Sequence, residues 1–201
     1  MADRDPRTPE TVSPDASAGV GSAEPVLREA TAADLPGIQA IYAHHVAHGT
    51  GSYEYEAPDV AEMQARWEKI GAQGLPWLVC EEIAGGQMLG YAYAGLFHGR
   101  IGWRFVVEDS VYVHPDHTGQ GVGELLLREL LRRCEALGYR QMMAVVGDGE
   151  NRGSIRLHEK LGFERIGTAR DTGWKFGRWL DTVYMQKTLG AGGSEPPPAG
   201  A

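Results

Sequence analysis

Two spacings of apolar residues alternate along the chain. Val26-Leu27-Arg28 is a short strand-like run. Thr31 stands three residues before Asp34, a variant of the capping box, and Leu35, Ile38, Ile41, Tyr42 and Val46 follow at helical spacing. A second helix is predicted from about Pro58-Asp59, carrying Met63, Trp67 and Ile70. Strand-like runs come next at residues 77–83, 88–97 and 105–113, with Gly85-Gly86 as a hairpin turn between the first two. Leu125, Leu126, Leu127, Leu130, Leu131 and Cys134 mark a helix that ends near Gly138. Residues 141–146 read as a strand, and 154–161 as a short helix closed by Gly162. Two last strands span about 163–176 and 181–189. This order (strand, two helices, three strands, helix, strand, helix, two strands) predicts an α/β protein with one mixed central sheet flanked by helices.

The ends do not follow either spacing. Residues 1–24 are rich in Pro, Ser, Ala, Asp and Gly and hold no aromatic residue, and residues 190–201 read GAGGSEPPPAGA. Segments of this kind bury too little apolar surface to offset the entropy of ordering, so both are expected to be disordered tails around one domain at 25–189. The 201 residues, 42% hydrophobic and 23% charged, are enough for one core without disulfides or metals.

Charge narrows the function classes. A formal net charge of -8 argues against general binding to nucleic acid or anionic membranes. No apolar run approaches the roughly 20 residues of a membrane span. The N-terminal residues do not read as a secretory signal, and Cys80 and Cys134 lie far apart in apolar contexts without metal or redox spacing. A cytoplasmic protein with reduced core thiols is expected. His44 and His48, at i and i+4 beside His45, have the spacing of a metal pair, but no third ligand is evident and no metal is expected.

The chemistry concentrates in Gly119-Gln120-Gly121-Val122-Gly123, between the strand ending in Val111-Tyr112-Val113 and the following helix. The first amides of a helix lack internal partners and carry partial positive charge. Glycines let successive N–H groups close on a phosphate, even in an acidic protein. The stretch is not a Rossmann fingerprint, and no Lys-Ser/Thr pair makes it a P-loop. Alone, it reads equally as a phosphate cradle or as a plain flexible connection.

Its context resembles a known family. Ser110-Val111-Tyr112-Val113-His114-Pro115, then Gly119 to Gly123, then Leu125-Leu126-Leu127, resembles motif A of the GNAT acetyltransferase superfamily. Asn151, Ser154 and Leu157-His158-Glu159-Lys160-Leu161-Gly162-Phe163 resemble motif B. Pro76-Trp77-Leu78-Val79, Gly90-Tyr91-Ala92-Tyr93-Ala94, Val107-Glu108-Asp109-Ser110-Val111-Tyr112-Val113, Ile155-Arg156-Leu157-His158-Glu159 and Gly173-Trp174-Lys175-Phe176-Gly177-Arg178-Trp179-Leu180-Asp181 are similar to the phosphinothricin/methionine sulfoximine acetyltransferase branch. The resemblance implies a GNAT fold splayed at the cofactor-binding strand, acetyl-CoA as donor, a small amino-acid-like acceptor, direct attack without an acetyl-enzyme, and a homodimer. It departs from the superfamily pattern at Thr118, which stands where Gln or Arg is usual.

The resemblance also assigns roles. Glu108 is the expected general base, acting through a water, because the amine of an amino acid is mostly protonated at neutral pH. Asp109 should point to the opposite face of the strand. The expected cofactor contacts are Val111, Tyr112, Val113, Gly119, Gln120, Gly121, Val122, Gly123, Glu124, Asn151 and Ser154. Tyr112 reads either as core packing or as site lining. His158 occupies the place of a Tyr that protonates the departing thiolate in many relatives; it reads as that acid, as a substrate contact, or as a buried structural histidine. Tyr53, Trp103, Arg100 and Arg104 are the expected acceptor contacts, the arginines because a carboxylate suits a guanidinium. Lys175 and Trp179 fit either the pocket or the dimer contact. The alternatives are a GNAT enzyme for another small amine or a protein N-terminus, and a non-catalytic acyl-CoA-binding module.

Overall fold

Strands and helices follow the expected order in a computed structural model that describes residues 25–83 and 86–197. The tail expected over 1–24, and Gly85 of the hairpin turn, lie outside those residues. The strands are β1 (Pro25–Glu29), β2 (Trp77–Glu82), β3 (Met88–Leu96), β4 (Val106–Val113), β5 (Gln141–Gly147), β6 (Glu164–Lys175) and β7 (Arg178–Thr188). The helices are α1 (Leu35–His48), α2 (Val60–Gly71), α3 (Val122–Ala136) and α4 (Arg152–Lys160).

Local chemistry sets the helix starts. The backbone N–H and hydroxyl of Thr31 both donate to Asp34 Oδ2, at 2.7 and 2.9 Å, on the turn that leads into α1. The Asp59 side chain accepts from Glu62 N at 2.8 Å and caps α2, which satisfies an amide the helix itself leaves orphaned. α3 begins at Val122, earlier than its leucine repeat indicates, because Gly121 takes the left-handed conformation (φ 86°) at the N-cap.

The seven strands form one sheet in the order β1-β2-β3-β4-β5-β7-β6. Its pairs are antiparallel except β4 with β5. That parallel pair is short. Val106, Val107 and Glu108 lie opposite Gln141, Met142 and Met143, and the ladder ends there, although β4 runs on to Val113 and β5 to Gly147. Each strand keeps its outer neighbour, β3 and β7, so the sheet opens as a V from Asp109 onward.

The two faces of the sheet hold separate cores. One packs Leu126, Leu127, Leu130 and Cys134 of α3 against Val107, Met142 and Ala144, with Val111 and Val113 at its edge. The other packs Ile38, Ile41 and Tyr42 of α1 with Met63 of α2 against Trp77, Val79 and Tyr91, with Tyr112 beside them. Odd-numbered side chains of β4 therefore face α3 and even-numbered ones face α1, the period of a strand. Residues 190–197, read as part of a structureless tail, continue from β7 through turns: Gly192 N donates to Leu189 O at 2.9 Å and Ser194 N to Ala191 O at 3.0 Å.

Candidate active site

The V between β4 and β5 opens into a cavity of about 740 Å³. Residues 108–113 form one wall and residues 144–148 the other. His117, Thr118, Gly119, Gly121, Gly123 and Glu124 lie at one end with Asn151, Ser154 and His158 of the α4 side. Beyond Glu108, the edge of β4 that would pair with β5 opens onto this cavity instead.

The glycine turn has the form a phosphate requires. Gly119 and Gly121 have φ of 76° and 86°, and a Cβ built on either meets nothing within 4 Å, so backbone conformation, not crowding, calls for glycine there. The turn delivers the N-terminus of α3, 15 residues long, to the cavity. Glu124 in the first turn is held by Arg128 at 2.7 Å and by Lys160 of α4, which offsets its repulsion of an anion. Gln120 and Val122 turn elsewhere. Gln120 Nε2 donates to Asp116 O at 3.0 Å, and Val122 is 4% exposed in the core. Thr118 donates its hydroxyl to Pro115 O at 3.2 Å. Asn151 caps α4 by accepting from Ser154 N at 3.3 Å.

Neighbouring carboxylates on β4 meet opposite environments. Glu108 lies on the α1 face with Ser110 and Tyr112, where burial, with the Asp109 charge adding to it, pushes its pKa up from 4.5 to about 7. Asp109 points to the α4 face and is 7% exposed. Its Oδ2 lies 3.0 Å from His158 Nε2, while Oδ1 has no hydrogen-bond partner among the described residues. His158 Nδ1 lies 2.7 Å from Ser154 O. A carbonyl only accepts, so Nδ1 carries a proton. Burial is the largest influence on His158 and lowers its pKa; the Asp109 charge, its hydrogen bond and the Ser154 carbonyl outweigh it, so the net shift is upward. Both ring nitrogens are engaged and the Phe163 ring lies edge-on at 4.9 Å, so His158 is a buried histidine held in one orientation at the cavity wall.

Four expected acceptor contacts lie outside the cavity lining. Arg100 and Trp103 are exposed on the loop between β3 and β4; Trp103 stacks at a tilt on Phe97 at 5.5 Å. The Arg104 guanidinium lies over the Phe105 ring at 4.4 Å. The Tyr53 hydroxyl donates to Asp181 O at 3.1 Å and pairs with Thr182 Oγ1 at 2.9 Å. These side chains are set by local and cross-sheet contacts that sequence spacing does not encode.

The structure adds lining residues that sequence reasoning passed over: His45, Gly49, Thr50, Gly51, Gly147 and Asp148. His45 Nε2 donates to Val113 O at 2.8 Å, at the free end of β4. Burial lowers its pKa, which favours the neutral ring. Its position on α1 was visible, but its partner was not. The His44 and His48 rings lie 4.8 Å apart, and no group of three or more His, Cys, Asp or Glu among the described residues could hold a metal ion.

Comparison with known proteins agrees with this geometry. The profile of the acetyltransferase (GNAT) family matches residues 38–163. A phosphinothricin N-acetyltransferase from Alcaligenes faecalis is 51% identical over 164 residues, covering 82% of this chain and 82% of its own. An L-methionine sulfoximine/L-methionine sulfone acetyltransferase from Pseudomonas paraeruginosa is 43% identical, covering 85% of this chain and 98% of its own. Among solved structures, a GNAT phosphinothricin acetyltransferase from Sinorhizobium meliloti in complex with acetyl-CoA superposes with a TM-score of 0.85 at 46% identity, over 88% of this chain and 95% of that one. The splayed parallel pair, the glycine turn at the start of α3 and these likenesses coincide on the same residues, and the chain belongs to the acetyltransferase (GNAT) family.

Proposed function

We propose that the enzyme transfers acetyl from acetyl-CoA to the amino group of a small amino-acid-like acceptor of the phosphinothricin or methionine sulfoximine/sulfone type. The observation that carries this reading is Glu108: a carboxylate raised to about 7 beside the point where β4 leaves β5, at one wall of a cleft that runs to the glycine turn of α3. The residues fit the donor. The amides from Gly119 to Glu124 at the start of α3 suit its diphosphate, and the unpaired edge of β4 from Val111 to Val113 suits its amide-bearing arm. Acetyl-CoA supplies the activated acyl group.

Glu108 takes, through a water, the proton that the acceptor ammonium must lose before it can attack. A base with a pKa near 7 is about half ionised at neutral pH, and it can both accept that proton and release it again. Backbone amides of Val111 and Val113, on the edge of β4 turned away from β3, are the donors available to charge developing on the acyl oxygen, and one such donor contributes about 3 kcal/mol. Thiolate departure needs no dedicated acid, since a thiol pKa near about 8.5 makes it a tolerable leaving group. No acetyl-enzyme is invoked: burial pushes Cys80 up to about 11 and Cys134 up to about 12, which leaves both thiols poor nucleophiles. Those reduced, buried thiols also suit a cytoplasmic enzyme.

A homodimer is proposed on the β6–β7 hairpin, where Trp174, Phe176 and Trp179 are 47%, 55% and 58% exposed. An aromatic patch of this kind suits a protein contact. Arg100 or Arg104 for the acceptor carboxylate, with Trp103 and Tyr53 beside it, stays part of this proposal as what the family resemblance implies, although these side chains lie outside the cavity lining and would have to approach the bound acceptor. The test is thiol release from acetyl-CoA across a panel of amino acids, with kinetics, on a sample whose mass is measured by light scattering. Turnover should be fastest with phosphinothricin, methionine sulfoximine or methionine sulfone. Faster turnover of an unrelated amine or a peptide N-terminus would move the enzyme to that class, and acetyl-CoA binding without any turnover would support a non-catalytic module.

A further inference from the structure

Lys175, at the end of β6, is 2% exposed. Its Nζ donates to Gly49 O at 3.0 Å and to Ser52 O at 2.7 Å. Burying an ammonium against two carbonyls is costly, and burial as the main cause lowers its pKa. What the contact yields is a loop shape. Gly49 and Ser52 bracket Thr50-Gly51, which line the cavity. The same loop is held at other points by the β6–β7 hairpin. The Tyr53 hydroxyl meets Asp181 O and Thr182 Oγ1, and the Tyr55 hydroxyl donates to Trp174 O. The fit is tight: a Cβ on Gly173 would lie 2.5 Å from the Tyr53 ring, and one on Gly147 would lie 2.3 Å from Thr50 O.

The loop belongs to one side of the sheet. It leaves the end of α1, the helix that packs on the face of β4 carrying Glu108, Ser110 and Tyr112. The glycine turn and α4 approach from the other face, where a Cβ on Gly123 would touch Leu157 and Val113. A donor gripped by the glycine turn enters from the α3/α4 side, so the molecule that gives its proton to Glu108 enters from the α1 side, against residues 49–51.

We infer that Lys175 is a positioning residue for the acceptor half of the site, holding the 49–52 loop as the wall against which the amino-acid acceptor binds. The inference rests on the acetyltransferase reading above. It assigns to the hairpin a task distinct from carrying exposed aromatics, since Lys175 points inward from the same turn that exposes Phe176. Removing the ammonium frees two carbonyls and lets the wall relax, while the diphosphate turn, on the opposite face, is untouched.

The test compares wild type with Lys175→Met and, separately, Gly173→Ala, which pushes the loop through Tyr53 without removing a charge. Acceptor KM should rise about tenfold or more in both, with kcat at saturating acceptor changed far less, because a relaxed wall weakens acceptor binding more than it alters the reacting groups. The Kd of acetyl-CoA, by titration calorimetry, should stay within about twofold of wild type. Unchanged acceptor KM in folded Lys175→Met would overturn the inference, as would an equal loss of acetyl-CoA affinity. Failure of both variants to fold would also overturn it, since it would make the contact a requirement of the fold. Absence of turnover in the wild type itself would instead sink the acetyltransferase reading.

Discussion

On the α3 side of β4 the cleft is made from consecutive residues and largely from backbone: a strand edge, a glycine turn and the first amides of a helix, all within 111–124. On the α1 side it is made from side chains and loops gathered from afar. Lys175 reaches Ser52 across 123 positions, Tyr53 reaches Thr182 across 129, and His45 reaches Val113 across 68. The difference follows from what each side must recognise. A diphosphate is the same in every donor and needs only N–H groups in a row, which one short stretch supplies. An acceptor is recognised by shape and by a few placed polar groups, which several elements must bring together. Glu108 stands where the two constructions meet. Perturbing each side separately should therefore break different steps.

The largest effect is expected at the junction. Glu108→Gln should lower turnover about 10²- to 10⁴-fold while acetyl-CoA binds nearly as before, measured by thiol release and calorimetry. In the wild type the ionised base predominates only above about pH 7, so kcat/KM should fall off on the acid side near that value. The same shift predicts a stability change of opposite sense. The folded state disfavours the ionised carboxylate, so the wild type loses stability as pH rises from about 4.5 through about 7. The variant has nothing to ionise there and should melt higher than wild type at pH 8. Unchanged turnover would remove Glu108 as the base and leave the acceptor side without a proton acceptor.

The next effect concerns the α4 face. His158→Ala leaves Asp109, 7% exposed, without its partner, and loss of one member of a buried pair costs about 3–5 kcal/mol. Urea unfolding at pH 6 should show it. Because the folded pKa of His158 is raised, the stability it contributes is fully present below about 6.5 and fades as pH rises through the elevated folded value. The gap between variant and wild type should therefore narrow between pH 6 and pH 9. A gap that widens with pH would mean that the pair is not held as imidazolium and carboxylate.

This asymmetry also explains what was legible in the sequence. The order of strands and helices could be read because apolar spacing is local, and the glycine turn could be read because its working atoms are backbone and its glycines are contiguous. Glu108 and Asp109 were correctly sent to opposite faces by strand period alone. The acceptor side resisted reading. Arg100, Trp103 and Arg104 have the right chemistry, but their loop lies outside the cavity lining, and nothing in their spacing places it. His45 stood beside His44 and His48 as an apparent metal neighbour, although its partner is a distant carbonyl. His158 occupied a motif position that suits an acid, yet Asp109, 49 positions away, commits its Nε2. Lys175 fitted either the pocket or a dimer contact, and only the fold, which brings the 49–52 loop over it, shows what its ammonium meets.

The smallest effect sharpens the comparison most, because it mirrors the Lys175→Met experiment. At Gly121 (φ 86°) an added Cβ meets nothing, so Gly121→Ala carries only the backbone cost of a left-handed residue, about 1–2 kcal/mol. Any relief of that strain must come from rotating the first turn of α3 away from the geometry that aims its amides at a diphosphate. If about half of that cost remains as a stability loss of about 1 kcal/mol, the Kd of acetyl-CoA should rise by up to about fivefold. Acceptor KM, measured at saturating acetyl-CoA, should stay near wild type, since the α1 face and the 49–52 loop are not involved. Lys175→Met should give the converse pattern, acceptor KM raised with acetyl-CoA affinity kept. If Gly121→Ala moves both constants together, the two faces of β4 act as one binding surface, and the separation between a backbone-built donor half and a tertiary-built acceptor half fails.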